Sequence, residues 1–278
     1  MTGRILIWGY GKLGSSIFKA LIQANIPVSA LIHSSDKAFD AEKNNFNTVS
    51  RNKVSVISPD IMVDRLTSET LGAYLLPGDT VFVTLPDRLI VHAIKSYQRE
   101  GVCFIHCSGA TPMVELNKGV SGVFYPFQTF SGKTPVDWSI IPVFIESADV
   151  KVLQKLEWVA QILGVKSTQV MNSTNRGYLH LVGVFANNFT QTMAIISRDL
   201  LVEAQMDQTW VIPILEKTAY HLTDENPWDS LTGPAKRGDS DTMAKHNGLL
   251  GSNPELLEIY NALSSYISKH MPDSAKQN

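Results

Sequence analysis

The 278 residues are 44% hydrophobic and 18% charged, so there is ample apolar material for a core and a length that suits one large domain or two ordinary ones. Lys and Arg number 24 against 26 Asp and Glu, with no basic stripe, which sets aside nucleic-acid binding through phosphate neutralisation. No apolar run approaches the ~20 residues that cross a bilayer, and Ile5 to Trp8 is too short for a secretory leader, so a cytoplasmic protein with no membrane association is expected.

Residues 4–8 form a short apolar run bounded by glycine and read as a buried parallel strand. Gly9-Tyr10-Gly11-Lys12-Leu13-Gly14 follows at once. Ile17, Leu21 and Ala24 then share one face of a helix over 15–24, and a second strand runs from Pro27 to Ile32. Together these make a βαβ unit of the expected size. Further strands are read at 54–57, 79–85, 102–107, 122–125 and 143–145, with a helix over 89–97. Strands alternating with helices predict a doubly wound parallel sheet. From about residue 150 the pattern turns helical: 150–163, a long helix from Ser173 or Thr174 to about Ala204, then 208–222, 242–250 and 254–270. The fold class expected is therefore α/β, with a doubly wound dinucleotide-binding domain over 1–150 followed by an all-helical domain over 151–278.

Two cysteines, Cys103 and Cys107, flank His106 on one predicted strand. Period 2 places the thiols on one face and His106 on the other, which does not close a tetrahedral metal site. No metal is expected. Two cysteines in a chain this long suit a reducing compartment.

A glycine string alone is a weak signal, but here it follows a strand and opens a helix. Gly9 permits the tight turn, Gly11 lets the backbone approach a pyrophosphate, and Gly14 lets helix and strand pack closely. The helix N-terminus offers free N–H groups and a positive dipole end to phosphates. Tyr10, Lys12 and Leu13 complete the loop. The carboxylate that would bind an NAD ribose at the end of the second strand is missing, and His33-Ser34-Ser35 stands there instead. Hydroxyls and an imidazole suit a 2′-phosphate, which favours NADP over NAD. Ligands of such sheets lie outside the carboxyl ends of the strands. Leu85-Pro86-Asp87 and His106-Cys107-Ser108-Gly109-Ala110 end two strands and are placed at the cofactor, with Ser108 able to serve both cofactor and substrate.

In the helical half, His180 and Asn187 lie seven apart in an apolar stretch, two turns along one helix face, with Asn188 about 100° further round. Such a pair is a candidate proton donor and carbonyl anchor; it is equally consistent with polar groups satisfied in a core or an interface. Leu231-Thr232-Gly233-Pro234-Ala235-Lys236-Arg237-Gly238-Asp239 is the second unusual string, readable either as a substrate-carboxylate site or as a structural loop.

These strings, with Tyr125-Pro126-Phe127-Gln128-Thr129-Phe130 and Tyr178 to Asn188, carry a resemblance over nearly the whole chain. The sequence resembles the bacterial Rossmann-like proteins with a C-terminal helical domain of unknown function, a family assigned as NADP oxidoreductases. Some members look like an alternative ketopantoate reductase. More distantly the architecture is similar to 6-phosphogluconate-type dehydrogenases, pyrroline-carboxylate reductases and deazaflavin-dependent NADP reductases. Where the family usually has His-Pro, this chain has Tyr125-Pro126. The helix lysine of β-hydroxyacid dehydrogenases has no counterpart, and His180 stands in for it.

The resemblance implies hydride transfer from NADPH to the carbonyl of a small 2-oxo acid, ketopantoate among them. An imine reductase, a deazaflavin-linked reductase and a non-catalytic NADP sensor are the alternatives. His180, Asn187 and Ser108 are the candidate catalytic residues. Gly109, Gln128, Asn188, Lys236 and Arg237 are the candidate substrate-binding residues. A homodimer through the helical domain is expected from its apolar surface.

Overall fold

The computed structural model describes residues 3–32, 50–51, 54–58, 61–66, 72–132 and 135–272. His33, Ser34 and Ser35 lie outside the described residues. The chain divides into two compact units, Met1–Thr190 and Gln191–Asn278.

The first unit is built on one ten-stranded sheet of order β10-β9-β8-β7-β6-β1-β2-β5-β4-β3. Its strands are β1 (Ile5–Trp8), β2 (Val28–Ile32), β3 (Ser50–Arg51), β4 (Val54–Ser58), β5 (Ile61–Leu66), β6 (Thr80–Val83), β7 (Cys103–His106), β8 (Val120–Pro126), β9 (Val143–Glu146) and β10 (Thr168–Val170). The middle six, β5-β2-β1-β6-β7-β8, are all parallel and follow the spatial order of a Rossmann sheet. β1 lies at the centre, and the chain leaves it in one direction through β2 and in the other through β6. That makes its carboxyl end the switch point where a ligand is expected.

Two expectations need correction. Residues 54–57 are not the third parallel strand: β4 pairs antiparallel with β5, and β5 is the strand that lies beside β2. At the other side β9 runs antiparallel to β8, and β10, for which no strand was expected, lies parallel to β9. The sheet is therefore mixed, with a parallel centre.

Alternation on the central strands buries both faces, as a doubly covered sheet requires. Ile5 and Ile7 join one core cluster while Leu6 and Trp8 join the other. The first cluster is closed by α1 (Lys12–Gln23) and α3 (Val150–Ile162), through Ile17, Leu21, Leu156 and Val159. The second is closed by α2 (Asp87–Tyr97), through Ile90, Ala93 and Ile94. Cys103, Ile105 and Cys107 face the first cluster and Phe104 the second. Burial pushes the Cys103 thiol up to about 11 and raises Cys107 further, so both are inert at neutral pH. Among the described residues no group of three or more His, Cys, Asp or Glu is placed to hold a metal ion.

The predicted long helix is present in three parts. α4 (Ser173–Gly183) passes into a π-helical turn, Val184–Phe189, and then into α5 (Thr190–Glu203). Asn172 caps α4 by accepting from the Asn175 N–H at 2.9 Å.

The second unit is helical: α6 (Ile212–His221), α7 (Pro227–Ser230), α8 (Pro234–Arg237), α9 (Ser240–Leu249) and α10 (Pro254–His270). α8 sits between two glycines of positive φ, Gly233 at 112° and Gly238 at 67°. Asp239 caps α9, accepting from the Thr242 N–H at 3.0 Å. Among the described residues, no helix is long and apolar enough to cross a membrane.

Candidate active site

The glycine loop leaves β1 and enters α1 with its backbone crowded on one side and open on the other. Gly9 has φ 104°, a conformation side chains rarely adopt, and a Cβ there would lie 2.7 Å from the Thr84 carbonyl oxygen. The Thr84 hydroxyl donates to the Gly9 carbonyl at 2.6 Å, tying the loop to the end of β6. A Cβ on Gly14 would collide with that same carbonyl and with Thr84 Oγ1, so helix and strand pack at a distance only glycine allows. Gly11 is different: a Cβ there would meet nothing within 4 Å. It is the N-cap of α1, with no side-chain cap and no acidic residue in the first turn. Backbone N–H groups at a helix N-terminus thus face open space beside a glycine, a cradle suited to an anion.

That open side is a cleft of about 400 Å³ whose lining includes Gly9, Tyr10, Gly11 and Leu13 from the loop, Leu85, Pro86 and Asp87 from the β6–α2 turn, and Cys107 and Ser108 after β7. Two predicted cofactor segments therefore converge with the glycine loop on one cleft at the carboxyl ends of β1, β6 and β7. Tyr10 also packs edge-on against Phe18 with centroids 5.7 Å apart, so it anchors the loop to the core. Lys12 is exposed, and its aliphatic stem approaches Gly132. A wider cavity of about 560 Å³ lies at the opposite, amino ends of the strands around Gly3 and Gly78; size alone does not locate the chemistry.

The turn after β7 is held from several directions. Ser108 Oγ accepts from the N–H groups of Ala110 and Thr111, at 3.2 and 2.9 Å. The Ser108 N–H donates to His106 Nδ1 at 3.2 Å, which leaves His106 Nε2 to donate to the Pro112 carbonyl at 3.2 Å. Burial, and then the nearby Arg176 guanidinium, push His106 down to about 4, so it is a neutral structural imidazole.

Arg176 is the residue the sequence reading did not single out. It is 1% exposed and donates to the Ser108 carbonyl at 3.2 Å, to the Thr111 carbonyl at 2.7 Å and to the Glu146 carboxylate. Glu146, the last residue of β9, also accepts from the Ser173 N–H at 2.9 Å. The start of α4 is thereby locked to the β7 turn and to the end of β9. One signal was available: a carboxylate closing the apolar run Val143-Phe144-Ile145 needs a partner.

His180 lies one turn beyond Arg176 on α4, and its Nδ1 is 3.4 Å from the hydroxyl of Tyr125 on β8. Both groups crowd Gly109: a Cβ there would lie 2.7 Å from Tyr125 Cζ and 2.8 Å from His180 Nδ1. Burial pushes the Tyr125 phenol up; Arg176 draws it down and Asp87 pushes it up. Asp87 also lines the cleft, so the phenol lies within electrostatic reach of it.

Asn187 falls in the π turn, where the extra residue per turn moves it off the α-helical face shared with His180. Its amide donates to the Asn188 side chain at 3.0 Å. Gln128 is exposed, and its side chain accepts from the Thr129 N–H at 2.8 Å. Lys236 and Arg237 belong to the second unit; Lys236 donates to the Trp228 carbonyl at 3.3 Å, and Arg237 is exposed.

Residues 141–267 match the family described as a domain of unknown function, DUF2520. Among solved structures the chain is similar to a Bacteroides fragilis protein described as a "putative NADP oxidoreductase", with 26% identity over 96% of this chain and 98% of that one and a TM-score of 0.80. It is also similar to a Thermotoga maritima protein, at 18% identity over 97% of this chain and 98% of that one with a TM-score of 0.67. The 1-pyrroline-5-carboxylate reductase of Streptococcus pyogenes shares the fold, at 11% identity over 96% of this chain and 98% of that one with a TM-score of 0.54. No curated protein matches. The resemblance to Rossmann-like proteins with a C-terminal helical domain of unknown function is thus borne out.

Proposed function

We propose that this chain is an NADP-dependent oxidoreductase that reduces the carbonyl of a small 2-oxo acid, with ketopantoate the first substrate to try. The observation that carries the reading is the convergence of the glycine cleft with the Tyr125–His180 pair around one turn, Ser108 to Thr111. A reduced nicotinamide dinucleotide bound in the cleft would supply the hydride. The chain's own part is to bind phosphate on the α1 N-terminus, orient the carbonyl and hold a proton for the developing alkoxide. The choice of NADP rests on His33-Ser34-Ser35, and the similarity to the Bacteroides protein supports it.

The second unit is proposed to cover itself with a second copy. Among its described residues only Ala235 and Met271 are buried, while Trp210, Ile214 and Leu249 are 63%, 66% and 80% exposed. Helices that bury so little of their apolar surface are stabilised by association. The two buried, free thiols suit a reducing cytoplasm.

A screen of 2-oxo acids and cyclic imines, followed by NADPH absorbance, tests the activity. Oxidation of NADPH by a 2-oxo acid supports the reading. Reduction of imines alone reassigns the substrate. Tight NADPH binding with no acceptor reduced refutes the enzyme and leaves a sensor. Sedimentation that returns only a monomer at micromolar concentration refutes the dimer.

A further inference from the structure

We propose that Tyr125 is the proton donor of this site and that His180 recharges it, an assignment that rests on the oxidoreductase reading above. Both groups touch the space over Gly109, but they reach it from different supports. Tyr125 stands on β8, whose backbone is fixed in the sheet between β7 and β9. Its ring is braced by Phe127 and His180, with centroids 6.3 and 6.4 Å away. His180 comes from α4, which Arg176 and Glu146 clamp to the same turn.

The imidazole presents Nδ1 to the phenol, and this is the polar contact that His180 makes among the described residues. A nitrogen committed to the phenol oxygen is placed to hand it a proton. The 3.4 Å separation is long for a hydrogen bond, as is common for catalytic pairs before substrate closes the site. The charged groups within electrostatic reach of the phenol are Arg176 and Asp87, the second of which also lines the cleft. Burial and Asp87 favour the neutral phenol, so it carries its proton at neutral pH.

The step balances. A hydride from the reduced dinucleotide adds to the carbonyl carbon, and the π pair of the C=O bond moves onto oxygen. That oxygen forms an O–H bond with the proton of Tyr125 Oη as the phenolic O–H breaks. The phenolate takes the Nδ1 proton of His180 as Nε2 gains one from solvent, so no imidazolate forms and the ring only changes tautomer. Where the resembling family usually has histidine, this chain thus carries a phenol with a partner on α4.

The test uses the full chain with Tyr125→Phe and His180→Asn. Tyr125→Phe is expected to lower kcat about 100-fold, the low end for a general acid, with NADPH affinity within twofold. His180→Asn is expected to lower kcat about tenfold, because solvent still protonates the phenolate. Tyr125→Phe with kcat within threefold of the unaltered chain overturns the proposal, and so does a larger loss in His180→Asn than in Tyr125→Phe. A second readout needs no turnover. The tyrosinate absorbance that Tyr125→Phe removes reports the titration of Tyr125, and His180→Asn is expected to move it by half a pH unit or more. An unmoved titration refutes the pairing while leaving the oxidoreductase reading intact. A chain that binds NADPH, shows the shift and reduces no acceptor refutes the oxidoreductase reading and with it the transfer step.

Discussion

Gly11 and Gly14 stand three residues apart in one loop, and alanine at each should do opposite things. At Gly14 a methyl group has nowhere to go: it meets the Gly9 carbonyl and Thr84 Oγ1, which are themselves hydrogen-bonded across the loop. Backbone and a buried hydroxyl must shift, and overpacking of this kind costs about 1–3 kcal/mol. At Gly11 the methyl group meets nothing, and φ is −76°, which alanine adopts without strain. Alanine is a poorer N-cap than glycine, but it also restricts the unfolded chain, and the two effects are each about 1 kcal/mol or less and oppose. Gly11→Ala should therefore unfold in urea within about 1 kcal/mol of the unaltered chain. Its NADPH affinity should fall sharply, because the methyl group stands where the pyrophosphate would approach the helix N-terminus. Loss of one charged hydrogen bond, about 1.5–3 kcal/mol, corresponds to roughly 10- to 150-fold in Kd. Urea titration and NADPH fluorescence measure the two quantities separately. A folded Gly11→Ala chain that binds NADPH as tightly as the unaltered one would refute this phosphate site.

Arg176→Met leaves the Glu146 carboxylate without its guanidinium and two carbonyls without a donor; a loss of about 3–5 kcal/mol is expected from urea midpoints, and a loss under 1 kcal/mol would show that the clamp is dispensable. His106 is pushed down from 6.5 to about 4, so below pH 6.5 the unfolded chain takes up a proton that the folded chain refuses. Its contribution to stability is constant above pH 6.5 and falls by about 3 kcal/mol as the pH drops to 4; comparison with His106→Gln isolates that slope, and parallel profiles would contradict it. Ser34→Asp restores a carboxylate where an NAD ribose would find one and should shift the Kd ratio toward NADH; an unchanged ratio removes the basis for choosing NADP.

The loop was legible because its three glycines encode backbone approach rather than side-chain chemistry, and each demand recurs in the structure as a close contact or an open space. The βαβ alternation was legible through β1, α1 and β2 for the same local reasons. Residues 54–57 misled because a short apolar run says nothing about strand direction: the same Val-Ser-Val-Ile pattern serves an antiparallel hairpin with β5. β10 is three residues long, too short for period 2 to register. The π turn has no compositional mark at all, and Val184 to Phe189 reads as continuous helix. Arg176 was hidden in a polar helix start, Ser-Thr-Asn-Arg, where an arginine usually faces water; its partner Glu146 lies 30 residues away.

The same limit explains why spacing along one helix linked His180 to Asn187, whereas the hydrogen bond of His180 goes to Tyr125, 55 residues earlier. Helical periodicity finds neighbours on one element, and a site at the ends of parallel strands is assembled from several. Tyr125 comes from β8, Gly109 from the turn after β7, Asp87 from the start of α2 and His180 from α4. No spacing rule connects these four. What connects them is that β6, β7 and β8 end side by side, and that Arg176 pins α4 across the turn after β7. A substitution at Tyr125 is therefore also a test of the topology: its effect should couple to His180 and Arg176, which are distant in sequence, more strongly than to Gln128, which is three residues away.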